Sequence, residues 1–213
     1  MRKLILLITV CLLSYAAQAL SAETVAYQAG QHYRVITPSQ PTNDPARIEV
    51  VEIFWYGCPH CYHFEPSLGP WTKTLAKDVE FYRLPAVFSE AWEVHARAYF
   101  SAEILDVLDS SHSALFHVMH AERKKMNTLD KLADFYAEHG VEQTLFKKTY
   151  HSFVVNTKVA RAKEMVGRYG VEGVPAVIVN GQYLITGAMA KSYENMLKIT
   201  DFLIEKERAA LKK

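Results

Sequence analysis

Residues 48–62 read IEVVEIFWYGCPHCY, and two local patterns meet within this stretch. Ile48 to Phe54 is apolar and largely β-branched apart from Glu49 and Glu52, which predicts a strand buried on both faces. Gly57 then permits a sharp turn, and the residues after it suit a helix. The stretch therefore predicts a strand, a tight turn and a helix, with two cysteines where the helix begins.

The flanking sequence predicts an α/β unit that a block of helices interrupts. We expect the first helix to run from Cys58 to about Ala76, and Pro66 and Pro70 should kink or divide it. A second strand is expected from Val79 to Leu84. Between about Ser89 and Val155, alanine, leucine and aromatic residues recur at helical spacing, and extended β-branched runs are few.

The C-terminal part returns to the α/β pattern. A helix from about Thr157 to Tyr169 precedes a predicted hairpin, in which the strands Ala176–Val179 and Gln182–Thr186 flank Asn180-Gly181. An Asn-Gly pair supplies the positive φ angles of a tight turn. The last segment, Lys191 to Lys213, predicts a closing amphipathic helix.

The first residues of the chain have the layout of a secretory signal peptide. Arg2-Lys3 precedes the apolar run Leu4–Leu13, and Ala17-Gln18-Ala19 fits a cleavage site. An apolar run of roughly ten residues is well short of the ~20 that a membrane anchor needs. We therefore expect a signal peptide over residues 1–19, with cleavage after Ala22 as the alternative.

Signal cleavage changes both the cysteine count and the charge. The chain has 3 cysteines, and loss of Cys11 leaves only Cys58 and Cys61. A mature chain of about 190 residues can bury a core without disulfides. Loss of Arg2-Lys3 from the 24 basic residues, against 23 acidic ones, changes the formal net charge from +1 to −1. Nothing in this balance indicates a nucleic-acid binder or a polybasic membrane-surface protein.

Cys58-Pro59-His60-Cys61 has the properties of a redox-active pair. The amides and the dipole at a helix N-terminus favour the Cys58 thiolate by roughly 0.3–1 kcal/mol. His60 can add a positive charge or a hydrogen bond to the same sulfur, and we expect it to dominate how oxidising the pair is. A lower pKa makes Cys58 a better leaving group, and a stabilised reduced form makes the disulfide more oxidising. Pro59 lacks an N–H but costs little in the first turn of a helix.

A purely structural or a metal-binding role for the two cysteines is less well supported. A structural disulfide would close so small a loop that it would constrain little of the unfolded chain. A zinc site needs further ligands, and the chain has no second cysteine pair. His60 and His63 are too close in sequence to complete a tetrahedral site with both cysteines. We therefore expect no metal and no cofactor beyond a redox-active Cys58–Cys61 disulfide.

These residues resemble the active site of the DsbA family of periplasmic thiol:disulfide oxidoreductases, which belongs to the thioredoxin superfamily. The Pro-His dipeptide between the cysteines is the mark of that family, whereas thioredoxins have Gly-Pro. The resemblance covers essentially the whole mature chain. The matching stretches are Phe54–Tyr62, Phe64-Glu65, Ala91-Trp92, Ser152–Val155, Gly173–Ala176 and Val179–Gly181.

The resemblance implies a fold of the α/β class, a thioredoxin fold with an inserted all-helical domain. The thioredoxin-like domain would then be discontinuous, over residues 20–87 and 157–213. The inserted helical domain would occupy residues 88–156. This division agrees with the order of strands and helices that the sequence pattern predicts.

The resemblance also implies roles for individual residues of the site. Cys58 would be the exposed attacking sulfur and Cys61 the buried resolving one. A cis Val174–Pro175 bond would face the disulfide and leave the Val174 backbone free to pair with an extended substrate peptide. Glu52 would be buried near Cys61 and would help to move its proton. A strand-end charge that reaches solvent is the alternative for Glu52.

The remaining polar and aromatic residues have simpler interpretations. Glu65 matches a family position, but a carboxylate in a first helix is more often an exposed charge that suits the helix dipole. His117 and His120, with His112 nearby, lack a carboxylate or cysteine pattern, so we expect surface histidines rather than a metal site. Trp55-Tyr56 could form an apolar collar that binds unfolded chains.

The leading hypothesis for function is oxidation of reduced exported polypeptides in the periplasm, through a mixed disulfide on Cys58. The resemblance implies re-oxidation by a quinone-linked inner-membrane oxidase of the DsbB type, and we expect a monomer that binds no nucleic acid. The alternative is a periplasmic disulfide reductase or isomerase with the same site. About thirty residues separate the predicted cleavage site from the first core strand, too few for the N-terminal dimerisation domain of such isomerases. A third hypothesis is a peptide-binding or chaperone module whose cysteines are incidental.

Overall fold

The computed structural model describes residues 27–211. The predicted signal peptide lies outside these residues. Among the residues described, no helix is long and apolar enough to cross a membrane. The strands are β1 (Arg34–Val35), β2 (Ile48–Phe54), β3 (Val79–Pro85), β4 (Ala176–Val179) and β5 (Tyr183–Thr186). The helices are α1 (Pro59–Thr72), α2 (Glu90–Ile104), α3 (Leu108–His120), α4 (Leu129–Glu138), α5 (Gln143–Tyr150), α6 (Phe153–Arg168), α7 (Gly187–Ala190) and α8 (Tyr193–Leu211).

The strands form one mixed sheet in the order β1-β5-β4-β2-β3. Strand β2 pairs in parallel with β3 and antiparallel with β4. The predicted hairpin of β4 and β5 is confirmed. Asn180 and Gly181 in its turn have φ angles of 51° and 62°, the left-handed values that an Asn-Gly pair adopts easily.

The central strand β2 is buried on both faces, as its sequence pattern predicts. Ile48 and Val50 pack with side chains of α1 and α8 in one apolar cluster. Val51 and Ile53 point the other way and pack with side chains of α6. The whole strand is therefore removed from water, including its two glutamates.

The helices α2 to α5 pack over the end of β2 that leads to the cysteines. One apolar cluster joins side chains of these helices to Phe54, Tyr56, Cys58 and Cys61. Burial of this apolar surface stabilises the contact between the helical block and the α/β unit. The block therefore forms one wall around the cysteine pair.

Helix α1 is not divided at its prolines, so of the two predicted outcomes, a kink or a division, the structure excludes division. It is a single element with Pro66 and Pro70 inside, and it ends at Thr72 rather than near Ala76. Both prolines are exposed. Water can therefore hydrate the carbonyls that the prolines leave without an amide partner, which lowers the cost of proline inside the helix.

Two further helix boundaries differ from the predicted ones. Helix α6 begins at Phe153 rather than near Thr157, because the Ser152 hydroxyl accepts a hydrogen bond from the Val155 amide at 3.2 Å. The closing helix α8 begins at Tyr193 rather than at the predicted start, and the short helix α7 ends immediately before Lys191. The φ of 66° at that residue is left-handed and cannot continue a right-handed helix.

Candidate active site

A tight turn places Cys58 at the N-terminus of α1. Cys58 precedes the first helical residue, Pro59, and has extended backbone angles (φ −91°, ψ 114°). Its amide donates to the Trp55 carbonyl at 2.9 Å, and the Tyr62 amide donates to the Cys58 carbonyl at 3.1 Å. The turn requires glycine at position 57, because a Cβ on Gly57 would lie 2.3 Å from the Trp55 ring.

The two sulfurs of the pair lie in different surroundings. Both cysteines are free thiols in this structure. A hydrogen bond from the Cys61 thiol lowers the pKa of Cys58 to about 6, and the Cys61 and His60 amides add to this effect against the opposing effect of burial. Burial raises the pKa of Cys61, and its hydrogen bond to Cys58 raises it further. Cys58 is therefore the acidic thiol and Cys61 the protonated one near neutral pH.

His60 contributes less to this acidity than its position in the sequence predicts. Its charge also lowers the pKa of Cys58, but the hydrogen bond from Cys61 is the largest cause. The His60 side chain is exposed, and its Nδ1 lies 3.4 Å from the Tyr193 hydroxyl. Water and salt screen an exposed charge, so the effect of His60 on the pKa of Cys58 is smaller than that of Cys61. That His60 dominates how oxidising the pair is stays a prediction.

The loop before β4 covers the Cys58 sulfur. The Val174–Pro175 bond is cis, as predicted. The Cys58 thiol donates to the Val174 carbonyl at 3.5 Å. Cys58 was predicted to be exposed, but only 8% of its surface remains accessible beneath this loop.

A cavity of about 980 Å³ opens beside the same loop. The cavity is lined by His60, by the cis-proline loop and by apolar side chains of the C-terminal segment. The residues that bear on this description are His60, Val174, Pro175, Leu184, Met189 and Tyr193. The cavity therefore adjoins the loop that contacts Cys58, and no residue of the helical block lines it.

Behind the sulfurs, one arginine is shared by two carboxylates. Glu52 on β2 is fully buried and accepts a hydrogen bond from Arg83 Nε at 2.9 Å. Glu65 on α1 accepts from Arg83 Nη2 at 3.1 and 3.2 Å. Burial raises the pKa of Glu52 to about 8 although Arg83 opposes it, and the charges of Glu65 and Cys58 raise it further. Glu52 is therefore a buried acid coupled to the sulfurs, and not a strand-end charge that reaches solvent.

Glu65 is not the exposed charge that its sequence pattern predicts. Its side chain is 12% exposed, and besides Arg83 it faces His112 Nε2 at 3.4 Å. Burial opposes its ionisation, but the hydrogen bond from His112 and the charge of Arg83 hold its pKa below the usual value. The position follows from helix geometry, because Glu65 is four residues after the buried Cys61 and shares its face.

The prediction of surface histidines is wrong for His112 and only partly right for His120, which is half-buried. His112 is buried, and its Nδ1 lies 2.8 Å from the Tyr56 hydroxyl. His120 Nε2 donates to the Tyr56 carbonyl at 2.7 Å. Only His117, with 60% of its side chain exposed, fits the prediction fully. Residues 27–211 contain no cluster of three or more side chains that could hold a metal ion.

Tyr56 is fully buried, so it does not belong to an apolar collar around the site. Trp55 is half-buried, and its ring stacks on Trp92 at 4.1 Å between centroids and 9° between planes. Trp92 also contacts Phe88, which is 45% exposed. The apolar surface beside the turn therefore consists of Trp55, Trp92 and Phe88.

Arg83 and the contacts of His112 and His120 were not predicted from the sequence. Arg83 lies inside a predicted strand, directly opposite Glu52 in the parallel pairing of β2 and β3. An arginine in one buried strand and a glutamate in its neighbour form a pattern from which this ion pair could have been predicted. The histidine contacts had no such signal, because they depend on how α3 packs against the turn.

Comparison with known proteins places the chain in a family. Residues 72–198 match the model of the DSBA-like thioredoxin domain. The chain is 43% identical to the thiol:disulfide interchange protein DsbA of Pseudomonas aeruginosa over 213 residues, which cover all of both chains. It is 40% identical to the protein of the same name from Azotobacter vinelandii, over 99% of this chain and 100% of the relative.

Solved structures agree with this assignment. The crystal structure of Pseudomonas aeruginosa DsbA matches with a TM-score of 0.84 and 45% identity, over 88% of this chain and 97% of that one. The oxidoreductase DsbA from Xylella fastidiosa matches with a TM-score of 0.81 and 37% identity, over 86% and 98% of the two chains. The predicted thioredoxin fold with a helical insertion and the predicted redox chemistry are confirmed: this chain belongs to the DsbA family of thiol:disulfide oxidoreductases.

Proposed function

We propose that this protein is a periplasmic disulfide donor that oxidises reduced exported polypeptides with a Cys58–Cys61 disulfide. The observation that supports this direction is the unequal acidity of the two sulfurs. A pKa of about 6 keeps Cys58 largely as a thiolate in the reduced protein near neutral pH. A stabilised reduced form makes the corresponding disulfide a stronger oxidant. The disulfide is then the redox group, and no further cofactor takes part.

The reaction has two exchange steps. A substrate thiolate attacks Cys58 Sγ, the Cys58–Cys61 bond breaks, and Cys61 leaves with the electron pair and takes up a proton. A second substrate thiolate then attacks the substrate sulfur of the mixed disulfide, and Cys58 leaves as a thiolate. The substrate loses two electrons and the protein gains them. The low pKa of Cys58 favours the second step, because a less basic thiolate leaves faster.

Glu52 is the proposed source of the proton for Cys61. It is buried, it is coupled to the cysteine pair, and its raised pKa keeps it protonated near neutral pH. A buried acid with a pKa near the working pH suits proton transfer. His60 and Pro59 lie at the start of α1, where His60 assists the thiolate and Pro59 occupies a position that needs no amide donor.

Val174 and Pro175 are the proposed substrate-binding residues. Val174 contacts Cys58 through its carbonyl, so a chain bonded to Cys58 must pass this loop. Recognition by backbone pairing would be independent of side-chain sequence, which suits an enzyme that meets many unfolded polypeptides. The adjoining cavity offers apolar side chains to residues that flank the substrate cysteine.

Re-oxidation requires a partner that removes two electrons from the reduced pair, while the single proton of Cys61 passes to Glu52. We infer a quinone-linked inner-membrane oxidase of the DsbB type, which would re-form the disulfide by the same exchange through Cys58. The protein would act as a monomer, because one chain contains the whole proposed site. The reductase or isomerase alternative uses the same residues, but the acidic Cys58 supports donation of the disulfide.

The test is the equilibrium of the mature protein with a glutathione redox buffer. A reduction potential above about −180 mV, the value of protein disulfide isomerase, would establish a disulfide donor. A value near the −270 mV of thioredoxin, at roughly the reducing end of the scale, would make the protein a reductase. Cys58→Ser is the control, and it should lose all oxidase activity towards a reduced peptide. Substantial remaining activity would contradict the mechanism.

A further inference from the structure

A continuous series of polar contacts passes through His112 of the helical block and ends at Glu52. It begins at the Tyr56 hydroxyl, 2.8 Å from His112 Nδ1, and continues from His112 Nε2 to Glu65 at 3.4 Å. Glu65 binds Arg83, and Arg83 binds Glu52. The proposed function uses only the last member of this chain. The role of His112, the one contribution from the helical block, is still unassigned.

The hydrogen bond to Tyr56 determines which nitrogen of His112 carries the proton. Burial lowers the pKa of His112, so the ring is neutral near pH 7. Burial also raises the pKa of Tyr56, so its hydroxyl keeps the proton and donates it to Nδ1. A neutral imidazole that accepts at one nitrogen is a donor at the other. His112 Nε2–H therefore points at Glu65 and stabilises it as a carboxylate.

The charge state of Glu65 determines whether Arg83 pairs with two carboxylates or with Glu52 alone. While Glu65 is ionised, Arg83 binds two carboxylates, and the negative charge of Glu65 disfavours a second charge on Glu52. If Glu65 were neutral, Arg83 would pair with Glu52 alone and would stabilise the ionised form of Glu52. Glu52 Oε1 has no hydrogen-bond partner within residues 27–211, so no other group compensates for such a change.

We propose that His112 is a positioning residue for the proton chemistry of Cys61: by holding Glu65 as a carboxylate against Arg83, it keeps the proton on Glu52. The proposal rests on the proposed role of Glu52. When the disulfide opens, the electron pair stays on Cys61 Sγ, the proton passes from the Glu52 carboxyl to that sulfur, and the Glu52 carboxylate remains paired with Arg83. On re-oxidation the proton returns to Glu52. The inserted helices thus tune the active site as well as cover it.

The titratable and charged groups that face His112 come from four different elements besides α3. Tyr56 comes from the active-site turn, Glu65 from α1, Arg83 from β3, and Tyr99 from α2, whose ring centroid lies 6.1 Å away. On α3 itself only Asp109 contributes a charge. The remaining neighbours are the rings of Phe54 and Phe116, so removal of the imidazole nitrogens need not open the core.

The test is a pH titration of the Glu52 carboxyl carbon by NMR, in full-length mature protein labelled with ¹³C at glutamate carboxyls. Loss of the signal in Glu52→Gln assigns it. His112→Phe keeps a ring but removes the donor, and should lower the Glu52 midpoint by at least about half a pH unit. Above both midpoints, formation of the mixed disulfide should slow about threefold, because a shift of half a pH unit lowers the protonated fraction of Glu52 there about threefold. His112→Gln, whose amide can replace the Nε2 donor, should restore the midpoint.

His117→Phe, on the exposed side of the same helix, is the matched control and should leave the midpoint unchanged. Equal midpoints in His112→Phe and His117→Phe would overturn the proposal, and so would a His112→Gln midpoint as low as that of His112→Phe. If His112→Phe does not fold, Glu65→Gln tests the next member of the chain and must lower the midpoint. Failure of the proposed function is distinct, because it would appear as wild-type protein that does not oxidise a reduced peptide.

Discussion

Two carboxylates are buried at opposite ends of the same sheet, and they are bound in opposite ways. Glu52 lies near the cysteines and shares a single arginine with Glu65, and within the described residues its Oε1 has no partner. Glu207 on α8 lies beside the β4–β5 turn and accepts from neutral donors. These are Asn180 at 2.6 Å, Gln182 at 2.8 Å and Tyr183 at 3.0 Å.

This difference distinguishes Glu207, a structural carboxylate, from Glu52, a carboxyl group that can exchange a proton. A buried carboxylate whose two oxygens both accept hydrogen bonds has the contacts that replace its lost hydration. Glu207 therefore holds the hairpin turn to α8. Glu52 lacks such contacts, so desolvation raises its pKa into the range where a proton can be exchanged at neutral pH.

The largest expected difference is in stability. Glu207→Leu leaves three donors without an acceptor and should lower the free energy of unfolding at neutral pH by about 2–4 kcal/mol. Glu52→Leu removes a buried group with an incomplete set of partners while Arg83 keeps Glu65, and it also removes the cost of protonating that group at neutral pH. It should therefore lower the free energy of unfolding by less than about 1 kcal/mol. Urea unfolding of both variants measures this. Equal losses would show that Glu52 is as structural as Glu207.

The next effect is in the pH dependence of stability. The pKa of Glu52 is about 8 in the folded protein against 4.5 ordinarily, so the folded state binds the extra proton between these values. This contribution to stability is present at low pH and is lost as pH rises towards 8. From pH 6 to pH 7 the free energy of unfolding of the wild type should therefore fall by about 1.4 kcal/mol more than that of Glu52→Gln. Parallel wild-type and Glu52→Gln curves would refute the assignment, and Glu207→Gln serves as the control.

The smallest expected effect is the influence of the Cys58 thiolate on Glu52. That negative charge contributes to the raised pKa of Glu52 after burial and Glu65. Cys58→Ser should therefore lower the Glu52 midpoint by less than about half a pH unit in the carboxyl titration. The Glu207 resonance in the same spectra provides an internal reference that should not move. A Glu52 midpoint that is the same in Cys58→Ser would mean that the two groups are not coupled.

Prediction from the sequence succeeded where a property depends on neighbouring residues. A β-branched, mostly apolar run predicted β2, the Asn-Gly pair predicted the β4–β5 hairpin, and the spacing of Cys58 and Cys61 at a helix start predicted a redox pair. It failed for Glu65, whose sequence neighbours do not reveal the arginine it meets. It also failed for helix ends such as Phe153, where a single capping hydroxyl moved the boundary.

The sequence by itself determined the strand, turn and helix that present Cys58, because these follow from short-range periodicity and from the glycine between Tyr56 and Cys58. Only the tertiary structure decided the charges behind the sulfurs. Arg83 reaches Glu52 across 31 residues of sequence, and His112 reaches Glu65 across 47. Hydrogen bonds between residues so far apart in sequence form only when separate elements pack together. Burial by those same elements strengthens each bond and so lets it determine the protonation of the site.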